Sequence, residues 1–569
     1  MAKSFNSVLA KFLLSVAGSI NKKKLVKASI DCKKSQAETL RAILDYAKDS
    51  VYGKEHNFAK ILEATTDDAL FEAYRQNVKP NDYEDFRPYV ERHKNGEENV
   101  LFPGKPKMYA TTSGTTSEPK WIPITNEYYS NIYSKMTKVW LYSFIENRPD
   151  VFNGKIVSIV GKAIEGTAPD GTLYGSVSGV TQRDCPGFVK KLYTAPADVF
   201  TIADYKARYY CIMRFGIEQD VTLIVTANPS TIVEMQNNVN EFFDDYVDDI
   251  EKGTISSKIN ISDELRQKML AEKNIKPNPK RAAELRELKA KYGTVLPKHY
   301  WPNLQILNTW KCGNTRMYLD KFKNSFPDCC LHQEFSYFSS ECRAGLVMPE
   351  TKDTNGTVVF PHMHYFEFVE EHDIDSENPK FLQLHELEFG KKYCPYVTTW
   401  AGLYRYTMSD LLEVDGKFNS IPTLHMIQKI NGIVTMTGEK LHERQFISAV
   451  EDASKSTGKK LKFYIGFADL EISAYHFYYE FEDQNITQAE ADDFNKLVDE
   501  NLKKVNIEYE AKRASFRVKD PIAHILVENS FEKFKARCID EGARDGQFKL
   551  NILLQDENRH AKFKDLVKK

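Results

Sequence analysis

The stretch TTSGTTSEPK at 111–120 decides how this chain is read. It gathers hydroxyl side chains around Gly114 and closes on Pro119 and Lys120. Such a loop offers backbone N–H groups, side-chain hydroxyls and one mobile cation within a few residues, which is what a polyphosphate needs. The Walker pattern is a different one, because the Gly-Lys-Ser/Thr ending is missing. Ser/Thr/Gly surface loops share this composition. The remaining segments decide between the two.

At 569 residues the chain exceeds one ordinary core, so two or more domains are expected. Apolar content of 42% and charge of 28% belong to an ordinary globular protein. A net charge of −2 implies no general pull toward nucleic acid or anionic membrane. The cysteines number nine, form no CxxC pair and include the adjacent Cys329 and Cys330, which points to a reducing, cytoplasmic setting with buried thiols. Near the N-terminus, SFNSVLAKFLLSVAGSINKKK (4–24) reads as an amphipathic helix with Val8, Phe12 and Val16 on one side. Lys11 interrupts the apolar run that a signal peptide needs. No run of eighteen apolar residues is present, which excludes a spanning helix.

Periodicity predicts a helix over 36–50 with Leu40, Ile43, Leu44 and Ala47 on one face, ended by Tyr52-Gly53, and another over 126–146. Short buried strands are expected at 155–160 and 221–227, separated by helices at 205–216 and 230–250. That alternation argues for α/β layers. PNPKRAAELRELKAKYG (277–293) reads as a solvated helix with Pro at its start; Glu284, Glu287 and the lack of interleaved aromatics argue against a nucleic-acid surface. From 357 the texture turns aromatic and β-branched, predicting an antiparallel sheet or barrel portion. His362 and His364 have metal-ligand chemistry, but no third ligand spacing accompanies them, so one strand face is the expected place. Beyond 430, LKFYIGFADL (461–470) and AYHFYYEFE (474–482) read as paired strands. Residues 486–513 read as one long helix, and KFKDLVKK (562–569) as an exposed helical tail.

Four further segments join the loop. Residues 301–322 read as a Pro-led strand, a Gly turn and a helix. EFSYFSSE (334–341) reads as a strand, GLYRYTMSD (402–410) as a strand ending in Asp410, and GQFKL (546–550) lies near the C-terminus. Together they supply the parts of a nucleotide site. Tyr337 is suited to stack on a purine and Ser340 to donate to a phosphate oxygen. Glu341 is suited to hold Mg²⁺, and Asp410 to accept from two ribose hydroxyls. Singly, each has a plainer alternative: core aromatic, helix cap, turn residue.

In their order along the chain, TTSGTTSEPK, YFSSE and LYRYTMSD resemble the three nucleotide motifs of the adenylate-forming superfamily, which includes firefly luciferase and the acyl-CoA ligases. One branch is closer: the auxin-responsive Gretchen Hagen family of acyl acid–amido synthetases. YGKEHNF (52–58), SSE (339–341), YFEFV (365–369), TTWAGLYRY (398–406), NIEYEAKR (506–513) and GQFK (546–549) are similar to its hallmarks. The resemblance runs nearly end to end.

It implies an α/β fold. A large, multi-layer N-terminal domain over 1–428, with α/β layers and a barrel portion, would bind ATP and the acid. A smaller, mobile α+β domain would occupy 429–569. It implies a phosphate loop of Thr112, Ser113, Gly114, Thr115, Thr116 and Lys120, with Tyr337, Ser340, Glu341 and Asp410 in the roles just given. Gln428 and Lys429 would form the hinge, and Lys549 would bridge carboxylate and α-phosphate.

The activity implied is ATP- and Mg²⁺-dependent adenylation of a carboxylic acid, followed by acyl transfer to an amine such as an amino acid, in a chain able to work as a monomer. Coenzyme A as the second substrate, or adenylate binding without turnover, are the alternatives. Candidates for the acid pocket lie around Trp140 and at Met213, Phe215, Thr226 and Asn228, residue types that also build ordinary cores. Three departures stand out: Ser117 replaces a common glycine, Ser409 stands where Gly usually precedes Asp410, and Leu550-Asn551 replaces a proline-containing ending.

Overall fold

The run VTLIV at Val221–Val225 is buried along its whole length, the mark of a strand covered on both faces. The computed structural model describes residues 5–112, 120–311, 319, 322, 324–374, 376–430, 433–531, 533–534, 537, 552–555 and 557–568. The side chains of 5–7, 112, 230, 428, 429, 444, 558 and 559 are excepted. In it, this strand lies inside a parallel sheet of order Lys155–Ser158, Val221–Val225, Ile306–Thr309, Leu331–Glu334. Parallel neighbours need crossovers. The helix Tyr205–Ile217 supplies one, and Ser230–Glu241 with Phe243–Lys252 lie in the next. Met213 and Phe215, candidates for an acid pocket, are instead fully buried in this core beside Trp301, whose indole N–H donates to the Gly216 carbonyl at 3.0 Å.

A second sheet is antiparallel at every strand pair named here. Its order is Phe381–Gln383, Tyr365–Glu370, Lys392–Thr398, Asp410–Phe418, Ile421–Lys429, Thr357–Val359, Gly345–Val347. It is an open sheet, not the barrel portion expected. The two edge strands are three residues each and do not pair with one another, and closure needs that last pairing. His362 and His364 precede the strand Tyr365–Glu370 instead of sharing a strand face, and the described residues hold no metal-binding group of three or more His, Cys, Asp or Glu.

The N-terminal helix, Phe5–Ala28, buries Ala10 and Leu25 and leaves Val8, Phe12, Val16 and Ile20 facing outward. The next helix, Cys32–Ala47, buries Leu40, Ile43, Leu44 and Ala47 as expected. Tyr52 and Gly53 do not end it. They sit inside a further short helix, Val51–Glu55, capped by Ser50, whose hydroxyl accepts from the Gly53 N–H. No described helix is long and apolar enough to cross a membrane.

By contacts the chain divides into two compact units. The first takes in the described residues of Met1–Thr111 and Trp121–Gln428, and the second those of Thr112–Lys120 and Lys429–Lys569. In the second, Leu461–Asp469 and Ala474–Phe481 pair antiparallel, flanked by Leu553–Leu554 and Ile522–Ile525. The long helix expected over 486–513 is two helices, Gln488–Val505 and Ile507–Ala514. Asn506 leaves the helical region (φ −139°) and its side chain accepts from the Tyr509 N–H, ending one helix and capping the next. The C-terminal segment packs instead of standing free. Phe563 and Leu566 are buried against Phe463, Ile465, Phe467 and Tyr478, because aromatic area at the last turn outweighs the lysines around it.

Candidate active site

The parallel strand Leu331–Glu334 ends at a buried carboxylate. Glu334 accepts from the Lys311 N–H at 2.6 Å and the Ser336 N–H at 3.3 Å, which turns the chain out of the sheet. Ser336 takes up the change of direction at φ +85° and is held by its Oγ, which accepts from the Val347 N–H at 2.8 Å. Beyond Ser336 the chain forms a narrow hairpin rather than the strand expected over 334–341. The Ala344 N–H donates to the Tyr337 carbonyl at 3.1 Å, Phe338 bridges Arg343, and the Ser339 N–H donates to the Cys342 carbonyl at 3.0 Å. The Ser339 Oγ accepts from the Cys342 N–H at 3.0 Å. Ser340 and Glu341 are therefore the two residues of the tip. A turn tip presents its side chains with little cost, and Glu341 is still only 7% exposed there.

The two faces of the hairpin do different things, as alternate residues of extended chain must. On one, the Tyr337 hydroxyl donates to Asp410 Oδ2 at 2.5 Å. Burial, and then the Asp410 carboxylate, push the Tyr337 phenol well above its ordinary value, so it stays protonated as the donor. On the other, the Arg343 guanidinium lies between two rings, 3.9 Å from the Tyr133 centroid and 4.1 Å from that of Phe338. Its Nη1 donates to the Tyr133 carbonyl and to Thr137 Oγ1 on the helix Ser134–Asn147. Trp140, on the same helix, packs on Phe335 and Phe338 with ring centroids 5.5 and 5.9 Å apart.

Asp410 opens the strand Asp410–Phe418 instead of closing one. The segment ahead of it is a turn held from outside. Asn81 donates its N–H to the Arg405 carbonyl and accepts from the Thr407 N–H, each at 2.9 Å. Arg405 itself is buried. Its Nε donates to Glu367 Oε2 at 2.7 Å and its Nη1 to the Val78 carbonyl at 2.7 Å, while Arg75 Nε reaches Glu367 Oε1 at 2.8 Å. Two of the quoted motifs, YFEFV and TTWAGLYRY, are thus clasped together by their only charged residues. The signal was visible in the sequence as one carboxylate and one guanidinium in otherwise uncharged runs.

Ser409 has φ +51°, the left-handed backbone that its place before Asp410 demands. A residue with a Cβ pays about 1 kcal/mol for it. Ser409→Gly should release that strain at a smaller entropic cost, raising the stability of this unit by roughly 0.5 kcal/mol. Urea unfolding checks this, and a lower midpoint for the variant would count against strain here.

The structure brings Tyr337, Ser340, Glu341 and Asp410 onto one hairpin and the strand beside it. Thr112 ends the strand Met108–Thr112, and Lys120, half-buried, begins its neighbour Lys120–Ile124. Ser113, Gly114, Thr115, Thr116, Ser117 and Lys549 lie outside the described residues, as do the side chains of Gln428 and Lys429.

Three domain models of one family match in succession: the GH3 family N-terminal domain over 21–331, the central domain over 357–429 and the C-terminal domain over 444–558. The chain belongs to the GH3 family. Among its relatives, the indole-3-acetic acid-amido synthetase GH3.3 of Arabidopsis thaliana is 26% identical over 545 residues, covering 90% of this chain and 88% of the relative. The jasmonoyl–L-amino acid synthetase JAR4 of Nicotiana attenuata is 27% identical over 443 residues, covering 75% and 74%. The solved structure of the GH3.15 acyl acid amido synthetase has the same fold, with a TM-score of 0.62 and 20% identity over 95% of both chains. The GH3 hallmarks quoted from the sequence therefore carry tertiary contacts here: SSE forms the hairpin tip, and YFEFV with GLYRY forms the clasp.

Proposed function

We propose that this GH3 protein joins a carboxylic acid to an amine, with an amino acid as the preferred class, through an acyl-adenylate made from ATP. The observation that carries the reading is the Tyr337–Asp410 hydrogen bond at the base of a hairpin tipped by Ser340 and Glu341. It brings an aromatic ring, a hydroxyl and two carboxylates onto one hairpin and the strand beside it.

A carboxylate is a poor acyl donor because its leaving group would be oxide. Attack of the acid on the α-phosphorus of ATP expels pyrophosphate and leaves a mixed anhydride. The amine then attacks the acyl carbon and AMP departs. No protein nucleophile is required, since positioning and charge neutralisation suffice. The Tyr337 ring stacks on the adenine, and the Asp410 carboxylate accepts from the ribose hydroxyls. Ser340 donates to an α-phosphate oxygen. Thr112, Ser113, Gly114, Thr115 and Thr116 surround the outer phosphates, with Lys120 as their cation. Lys549 places its ammonium group between the acid's carboxylate and the α-phosphate. Rotation about Gln428 and Lys429 would let the second domain serve both half-reactions.

The donor set suits Mg²⁺, which takes one or two carboxylates and otherwise phosphate and water oxygens. The hairpin tip offers one carboxylate, Glu341, beside the Ser340 hydroxyl. When bound there, the ion offsets charge on the phosphates. Glu341→Ala should raise the Mg²⁺ concentration needed for half-maximal rate roughly tenfold, the loss of about one charge-assisted contact. An unaltered Mg²⁺ titration would remove Glu341 from the metal's surroundings.

Both sets of groups belong to one chain, so the proposed working unit is a monomer. A reducing cytoplasm is the proposed setting, from nine cysteines that form no CxxC pair. Following AMP release with a panel of amino acids against coenzyme A tests the reaction. Stimulation by coenzyme A alone would make the protein an acid–thiol ligase.

A further inference from the structure

We propose that Arg343 binds a carboxylate of the acid substrate, with the Trp140 indole N–H as a second donor on the same wall. This rests on the ligase reading above and adds the residues that select the acid.

Arg343 is 6% exposed. A buried cation is costly unless an anion answers it. Among the described residues no carboxylate lies within 4 Å of the guanidinium, and its polar partners are the Tyr133 carbonyl and Thr137 Oγ1, both on Nη1. Neither Nε nor Nη2 has a hydrogen-bond partner among the described residues.

The geometry sets the chemistry of the group that would answer it. The Tyr133 and Phe338 ring centroids lie 3.9 and 4.1 Å from the guanidinium carbon, so an incoming group is left the part of the guanidinium that these rings do not cover. Nη1 is taken. The edge left over is the Nε/Nη2 pair, the fork that accepts a carboxylate with two parallel hydrogen bonds.

Trp140 supports this independently. It is 8% exposed, its ring centroid is 5.7 Å from the guanidinium carbon, and its buried Nε1 has no hydrogen-bond partner. Buried indole N–H groups normally find an acceptor. Two unanswered donors on one wall of rings (Tyr133, Trp140, Phe335, Phe338) call for a flat acid with oxygen acceptors at its edge.

Position ties the wall to the reaction. Arg343 faces Phe338 across the hairpin whose tip is Ser340 and Glu341, and the nucleotide groups Tyr337 and Asp410 lie on the opposite face. An acid on the Arg343 face and a nucleotide on the Tyr337 face would meet at the tip. The anchored carboxylate is either the reacting one or a second one on the same molecule. The chemistry is shared, and the arms of the experiment separate the two.

The test uses the full-length protein and calorimetric binding of benzoate, phenylacetate, isophthalate and terephthalate, which needs no turnover. Pyrophosphate release and ATP affinity are read separately. Arg343→Met should weaken binding of the acids that wild type binds by about 30-fold or more, with ATP affinity within about twofold of wild type. Equal losses for mono- and dicarboxylates place Arg343 on the reacting carboxylate, and losses confined to dicarboxylates place it on a second one. Trp140→Phe keeps the cation and the packing, and should weaken the same acids several-fold even where Arg343→Met fails to fold. Unchanged acid affinity in either folded variant would overturn the proposal, and so would a wild-type protein that binds none of the four acids. Acid binding without pyrophosphate release, by contrast, would count against the ligase reading and leave Arg343 in place.

Discussion

Lys549→Ala should lower acid-dependent pyrophosphate release roughly 10²–10³-fold, the usual loss when one preorganised donor to developing charge is removed. The reason lies in where charge grows. As the acid's carboxylate closes on the α-phosphorus, negative charge builds on oxygens that ATP alone does not bring together. A cation placed between them acts on the transition state more than on bound ATP. ATP affinity should therefore hardly move. The second half-reaction offers an internal control, because a synthetic acyl-adenylate supplied with an amine bypasses the step that Lys549 serves. Its turnover should survive the substitution. Wild-type rates of pyrophosphate release in Lys549→Ala would remove this lysine from the reaction and with it the need for a cation borne on the second domain.

The largest structural effect is expected from Glu367→Ala. Glu367 has a side-chain exposure of 1% and accepts from both Arg405 and Arg75. Its loss would leave Arg405, itself 4% exposed at the side chain, without a counter-ion in an apolar setting against the Phe381 ring. Breaking a buried pair by removing one partner costs about 3–5 kcal/mol, a large share of ordinary domain stability. Chemical denaturation of the full chain should show the transition of the first unit moved to lower denaturant, with the second unit's transition in place. Replacing Glu367, Arg405 and Arg75 together by Met should recover much of the loss, since a filled apolar site needs no charge. A Glu367→Ala midpoint equal to wild type would mean that the clasp contributes nothing. Because Arg405 also fixes the turn leading to Asp410, nucleotide affinity should fall in the same variant before the unit unfolds.

These two residues show where the sequence stopped being legible. Glu367 and Arg405 were in plain view within quoted motifs, yet nothing in a linear reading pairs positions 38 residues apart in chain order. The strands themselves were legible. Alternation and β-branched runs mark Val221–Val225, Leu461–Asp469 and Ala474–Phe481, because a strand's burial is written into its own side chains. Local stops were less so. Asn506 breaks what periodicity reads as one helix, because a short side chain that caps its neighbour's N–H competes with helix continuation, and apolar spacing does not register it. Closure of the antiparallel sheet was misread for a related reason. Strand texture says nothing about whether two edges three residues long will meet.

The sequence by itself determined the family, the α/β class and the residue types of a nucleotide site, since motif order and hydrophobic period are one-dimensional properties. Only the tertiary structure decided that Ser340 and Glu341 share a hairpin tip, that Tyr337 is tied to Asp410, and that Arg343 lies between two rings with an edge of its guanidinium unanswered. Hydrogen bonds and ion pairs act over about 3–4 Å, and which distant residues come that close is fixed by the packing of whole sheets and helices.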